Sequence, residues 1–401
     1  MHTSPDSDLQ PFNIRYCSRC CIPETQENVT FDELGVCQAC QSSEQKMYID
    51  WVKREKQLKG ILDNAKDNSC NNYDCILPIS GGKDSFFQAH LLTKVYGMKP
   101  LAVTFNHNLF SETGYYNLQL LLETFNIDHI QFTPNRKLIN NLLKKSIYKI
   151  GDTCWHCHAG VGAFPLSIAV KFRIPLLVWG ESIAEASGRA SYTNPVLTFD
   201  RDYFTKVSAK VLPQEMIDND ITIRDLVPFE LPSYKEIEMV GVHGIHLGDF
   251  IFWDEERQME FIRETYNWRE TDMEGAYKGY KSAECIMSGM HDYTCYLKRG
   301  YGRGTYQASA DIRNGLLTHE EGMVLAAETD RQRPEVLDYF LETTGLSEAA
   351  FYQAMKEKRH KKLQDTQLPV LPKSHQNKEK LIPFSQQIIE RFSSCNDGRR
   401  D

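Results

Sequence analysis

No apolar run in this chain of 401 residues approaches the roughly 20 residues that a membrane-spanning helix needs. The first eleven residues are polar and acidic, with neither the basic nor the apolar segment of a secretory leader. A cytoplasmic location and no membrane partner are therefore expected. Excess positive charge is also lacking. A formal net charge of −8 gives no general footprint for nucleic acid or an anionic surface, so small substrates or protein partners are the better expectation. There is no internal repeat. The spacing of an ordinary NTPase loop is missing too, because four residues must separate its first glycine from Gly-Lys-Ser/Thr and Ser80-Gly81-Gly82-Lys83-Asp84-Ser85 does not supply them.

Cysteine is well represented, at twelve residues, and in a reducing compartment paired spacings point to metal or redox chemistry before disulfides. Cys17-x-x-Cys20 and Cys37-x-x-Cys40 have the spacing of a closed four-thiolate zinc site, which is usually structural. Cys21 is expected to point elsewhere. A further pair, Cys154-Trp155-His156-Cys157-His158, has the pattern of covalent haem attachment, but its setting inside an α/β region and the missing export signal argue against that. A redox pair, thiolates at a helix start, two ligands of a metal or iron–sulfur cluster, and a purely structural role stay open.

The stretch 73–86 reads as a buried strand, a glycine turn and a helix. Unpaired N–H groups at a helix start, with glycines that let an anion approach, suit a phosphate, and Lys83 adds a point charge. From there strands are expected over 100–105, 128–132 and 174–179, the last counted as a fifth, and helices over 113–125, 136–148 and 161–172. Such alternation predicts an α/β fold with a doubly wound, mostly parallel sheet and ligands at the carboxyl ends of its strands. Thr104 to His107 and Trp179-Gly180-Glu181-Ser182 close two of those strands.

The expected organisation is an N-terminal zinc module over 13–42, a connector helix over 43–72, the α/β domain over 73–200, a mostly helical region over 201–363, and a linker and tail over 364–401. Residues 1–12 are expected to be a disordered lead. After about residue 200 the alternation fades, although 255–267 is a good helix and Thr318 with Glu321 forms a capping box. The basic, aromatic and glycine-rich segment 291–304 can offer Lys298, Arg299 and Arg303 to a phosphate or nucleotide-sugar, or be a solvated loop over packed tyrosines.

Ser80-Gly81-Gly82-Lys83-Asp84-Ser85 resembles the Ser-Gly-Gly-x-Asp-Ser signature of the PP-loop ATP pyrophosphatases. Together with both N-terminal cysteine pairs, Pro23-Glu24-Thr25, Trp179-Gly180-Glu181, 297–303 and Asp311-Ile312-Arg313, it resembles the N-acetyl sugar amidotransferases of bacterial surface-polysaccharide biosynthesis over roughly residues 14–360. The resemblance implies conversion of a sugar acetamido group to an acetamidino group with ATP, Mg²⁺ and ammonia. The ammonia would come from separate glutaminase and cyclase-like subunits, and no glutaminase signature is evident in this chain. It also implies nucleotide contacts from Ser80, Gly81, Gly82, Lys83, Asp84 and Ser85 and catalytic roles for Lys83 and Asp84, while by their position at strand ends Thr104 and Gly180 could face the nucleotide and Glu181 the substrate. Two other readings stay open: a PP-loop tRNA sulfur transferase holding an iron–sulfur cluster on Cys154, Cys157 and a third cysteine such as Cys285 or Cys295, and a non-catalytic nucleotide-binding scaffold.

Overall fold

The computed structural model describes residues 12–69, 72–186, 191–193, 209–374 and 381–397. The expected lead lies outside them except for Phe12, which is buried against Tyr296 and Leu363 and so is not part of a free tail. Part of the expected linker, residues 375–380, also lies outside them.

Two helices, α1 (Gln38–Lys46) and α2 (Trp51–Asp67), stand where one connector helix was expected. The break falls at Asp50, whose carboxylate accepts the Lys53 N–H at 3.0 Å and starts a new helix. Leu58 and Leu62, one turn apart, bury α2 against the sheet.

The chain then alternates: β1 (Cys75–Pro78), α3 (Lys83–His90, continued by a π turn over Leu91–Val95), β2 (Pro100–Phe105), α4 (Glu112–Phe125), β3 (His129–Phe132), α5 (Arg136–Ile150), α6 (Trp155–Phe172) and β4 (Leu176–Trp179). After α7 (Tyr234–Val240), β5 (His243–His246) adds a strand in the region where alternation seemed to fade. The 174–179 run is thus the fourth strand in chain order, and β5 is the fifth. Among the described residues, five strands lie in the order β3-β2-β1-β4-β5, all parallel.

Period-two alternation sorts the side chains. Cys75, Leu77, Ala102, Leu176 and Val178 face one side with α2, α3, α4 and α8 (Glu255–Tyr266), while Ile76, Leu101, Val103 and Leu177 face α6 on the other. Both faces are covered, as continuous apolar strands require. The order makes β1 the turning point: the chain leaves it outward through β2 and β3, then returns to its other side through β4. A crevice opens at the carboxyl ends where such an order reverses.

The longer helices that follow in the described residues are α9 (Ser288–Arg299), α10 (Arg303–Arg313), α11 (His319–Asp330), α12 (Val336–Thr344), α13 (Glu348–Glu357) and α14 (Phe384–Asp397). Thr318 and Glu321 form the expected capping box of α11. A separate core of Ile139, Leu143, Met290, Leu297, Phe340 and Phe351 joins α9, α12 and α13 to α5. The helical region is therefore packed on the sheet layer and closes one side of its crevice.

Candidate active site

The turn after β1 is fixed by contacts that only glycine permits. Gly81 has φ +83°, and a Cβ there would lie 2.7 Å from the Leu118 nitrogen and 2.8 Å from the Gly114 oxygen. Its carbonyl accepts the Trp268 indole N–H at 3.0 Å. Inside the turn, the Gly82 N–H donates to Ser80 Oγ at 3.3 Å and Ser85 Oγ donates to the Gly82 carbonyl at 3.0 Å. Gly82 then caps α3, so the unpaired N–H groups of that helix start lie beside the crevice.

A cavity of about 530 Å³ lies there, lined by Ser80, Asp84 and Ser85 from the turn, Gly180 and Glu181 from the end of β4, and Cys154, Cys157, Glu284, His291 and Arg303 from the helical side. Its apolar wall includes Ile79, Val103, Phe105, Val161 and Pro165. A second cavity of about 410 Å³ shares Glu181, His291 and Arg303 with the first and adds Glu255, Lys278, Tyr280, Lys281, Asp292 and Gln307. One space is apolar with an anion-suited corner; the other is lined by charge and hydroxyls.

Charge at the junction is unbalanced. Lys83 is buried and holds Asp84 at 2.6 Å and Glu255 at 3.6 Å, and Glu255 also pairs with Lys281. Burial alone lowers a lysine, but Asp84, Glu255 and Glu181 together keep Lys83 charged above its ordinary range. Glu181 opens onto the cavity, yet its enclosure and the nearby Asp84 and Glu255 carboxylates push it up to about 7. Glu255 is held low, against its burial, by Lys83 and Lys281. An excess of carboxylate oxygens facing one space is what a hard divalent cation relieves.

The structure brings Ser80, Asp84, Ser85, Gly180, Glu181 and Arg303 to one cavity and keeps other candidates out of it. Thr104 is buried and donates its hydroxyl to the Ile79 carbonyl at 2.9 Å, so it braces the strand before the turn. Lys298 donates to the Ile150 carbonyl at 2.9 Å, and Arg299 pairs with Glu27; neither lines the two cavities. The segment 291–304 is not the solvated loop of one expectation, but most of α9, a turn and the start of α10, and of its three expected cations Arg303 lines both cavities. Its glycine N–H groups are already taken: Gly302 and Gly304 each donate to the buried Asp330 carboxylate at 2.7 Å. Glu255, Lys281 and Glu284 were missed, and a carboxylate in the first turn of the good helix at 255 was the only signal for any of them.

The N-terminal cysteines close on one another. Cys17 and Cys40 sulfurs are 3.9 Å apart, Cys20 and Cys37 sulfurs 3.7 Å, and all four lie within 4.8 Å of each other, buried. Tetrahedral zinc with bonds of about 2.3 Å separates its sulfurs by about 3.8 Å. Backbone N–H groups of Cys20 and Cys37 point at Cys17 Sγ, at 3.5 and 3.2 Å, as the ligand turns of a thiolate site do. The cluster is thus built to hold a metal such as zinc. Cys21 turns away as expected, to Ser309 Oγ at 3.1 Å.

The central pair follows a helix, α5, and the Gly151 turn; Cys154 caps α6 and Cys157 lies in its first turn. Both line the first cavity with Cys285, whereas Cys295 lines neither.

No curated protein matches the chain. Residues 274–371 match a family model described as LPS biosynthesis protein WbpG-like, C-terminal domain. That stretch carries Lys278, Tyr280, Lys281, Glu284, His291 and Arg303, most of the wall that the helical region gives to the two cavities. Over that stretch the chain is similar to a WbpG-like C-terminal domain, which supports a link to bacterial surface-polysaccharide biosynthesis.

Proposed function

We propose that the chain is an ATP-dependent amidotransferase of PP-loop type that converts the acetamido group of an N-acetylated sugar, free or nucleotide-linked, to an acetamidino group. The observation that carries this reading is the meeting of Ser80, Asp84 and Ser85 with Glu181 and with Glu284 and Arg303 of the WbpG-like domain around one cavity. The apolar wall of Ile79, Val103 and Phe105 suits a nucleobase, the turn suits the pyrophosphate, and the polar second cavity suits a sugar.

An amide oxygen is a poor leaving group. Its attack on the α-phosphorus of ATP forms the C–O–P bond of an adenylated imidate and releases pyrophosphate. Ammonia then adds to the imidate carbon, AMP departs with the oxygen, and the amidine keeps the proton. Ser80 and Ser85 hold the pyrophosphate, Lys83 offsets charge behind Asp84, and Arg303, fixed by Asp292 at 2.5 Å, orients the substrate. Asp84 and Glu181 would hold Mg²⁺, which would neutralise the departing pyrophosphate. Ammonia is supplied by separate glutaminase and cyclase-like subunits.

Purified protein, ATP, ammonium at raised pH and a panel of nucleotide-linked N-acetyl sugars test this. AMP and pyrophosphate by ³¹P NMR, with a sugar one mass unit lighter, are expected, and Asp84→Asn abolishes both. ADP and phosphate, or ATP binding without turnover on any sugar, refutes it. A second reading has its own observation, since Cys154, Cys157 and Cys285 share the cavity: a sulfur transferase with an iron–sulfur cluster. A visible charge-transfer band in anaerobic protein and sulfur in the product select that reading.

A further inference from the structure

Asp152, Cys154 and His291 present one carboxylate oxygen, one sulfur and one ring nitrogen within 4.8 Å of each other. We propose that these three residues form a second metal site, taking zinc or a similar borderline cation, with a coordination position open to the first cavity. The N-terminal cluster contributes nothing to it, and Cys157 is not a ligand.

The donor set is of the kind zinc takes, and its two anionic members balance the ion's charge. Its supports are rigid. Gly151 ends α5 with φ +62°, and the chain turns so that Asp152 is buried under Cys154, the cap of α6. The Cys154 N–H donates to Asp152 Oδ1 at 2.9 Å, which fixes carboxylate and sulfur relative to one another. His291 enters from the first turn of α9, with Nδ1 3.0 Å from the same carboxylate. Ligand atoms on a tetrahedral ion at about 2.0 Å stand about 3.3 Å apart, so an ion replaces the proton between these two with only a small outward shift. Lys298 is held off by its bond to the Ile150 carbonyl at 2.9 Å, and Lys210 reaches Asp152 only at 4.0 Å.

Three protein ligands and one free position mark a reactive zinc site, where four closed ones mark a structural site. Here Cys154 and His291 line the cavity, and the His158 ring stands edge-on to His291 at 5.5 Å between ring centres. The open position therefore takes a small nitrogen or oxygen donor, such as water, ammonia or a carbonyl oxygen. Cys157, though one helical turn from Cys154, is outside the group.

The test is metal content of the full chain, purified anaerobically with zinc supplied and then dialysed without chelator. Two equivalents are expected in the wild type, and one in each of Cys154→Ser, Asp152→Asn and His291→Gln. Cys157→Ser keeps two. Circular dichroism identifies any variant that fails to fold, and three ligand variants on two separate segments leave the result readable if one does. Cobalt substitution gives an independent readout: loss of the weaker sulfur-to-metal band in Cys154→Ser with the four-sulfur band unchanged. One equivalent in the wild type, two in all three ligand variants, or iron with a visible band that Cys157→Ser removes, each overturns the site. The first two leave Asp152 and His291 as a buried ion pair tying the α6 turn to α9.

Discussion

Cys17-x-x-Cys20 and Cys154-x-x-Cys157 share a spacing and end in opposite surroundings. In the first, the residues after Cys17 form a turn whose Arg19 and Cys20 N–H groups face its sulfur, and a second pair closes the shell, with no room for another ligand. In the second, the same spacing enters a helix: Cys154 is left at the cap beside Asp152 and His291, while Cys157 is carried a turn inward and burial pushes its thiol up. Spacing alone therefore does not fix a ligand set. What decides it is whether the backbone between the cysteines is a turn that converges them or a helix that separates their roles.

The largest effect should come from breaking the closed cluster. Cys37→Ser removes a buried ligand from a module whose small core of Ile22 and Val36 is built around the four sulfurs. A loss on the order of 3–5 kcal/mol is expected, with release of its metal. Cys154→Ser, at the cavity rim, should cost roughly 1 kcal/mol or less. Urea unfolding of the two variants beside metal analysis checks the contrast, and equal losses would erase the distinction between a structural and an open site.

The next effect separates the turn at the cavity from an unconstrained one. Gly81→Ala forces a side chain into positive φ and into the Leu118 backbone, which must give way. Gly97 also has positive φ, +62°, but nothing lies within 4 Å of an added Cβ. Gly97→Ala should therefore cost about 1–2 kcal/mol, the left-handed strain alone. Gly81→Ala should exceed it by about 2 kcal/mol and move α3 against α4, weakening nucleotide binding that Gly97→Ala leaves intact. Thermal unfolding and nucleotide titration of both variants measure the difference.

Much of this was legible where local chemistry and long-range packing agree. The second strand, 100–105, is continuous apolar sequence buried on both faces, and its bounds match those read from the sequence. The strand His243–His246 was not legible, since Ile245 is its single large apolar residue and its place in the sheet comes from pairing with β4. The Gly-Tyr-Gly-Arg-Gly run resembled an anion cradle because a sequence does not reveal that an acid thirty residues on, Asp330, will fill it. Asp330 in turn explains the glycines: a Cβ on Gly304 would lie 2.7 Å from its Oδ1. His291 stood at the head of that run without its ligand partners, which α5 and α6 bring to it from about 140 residues away.

The smallest effect concerns the charge that the open cavity leaves unbalanced, for which the closed cluster has no counterpart. Loss of water around its carboxyl, then the Asp84 and Glu255 carboxylates, push Glu181 up to about 7. A carboxyl whose folded value lies above its ordinary one keeps a proton that the unfolded chain has released, so its contribution favours folding at low pH and is lost as pH rises toward 7. Glu181→Gln removes that dependence by fixing the neutral form. Between pH 5 and 8 the stability of the variant relative to wild type should therefore rise. The gain is small, because the side chain opens onto solvent and its neighbours can take up part of the charge. Urea midpoints of the two proteins at pH 5, 6.5 and 8 measure it. Mg²⁺ at millimolar concentration should shrink the difference at pH 8, as a cation that neutralises the cluster does the work of the missing charge. A difference that is flat with pH would mean that Glu181 is ionised at neutrality without cost and that the cavity holds no excess charge for a cation to relieve.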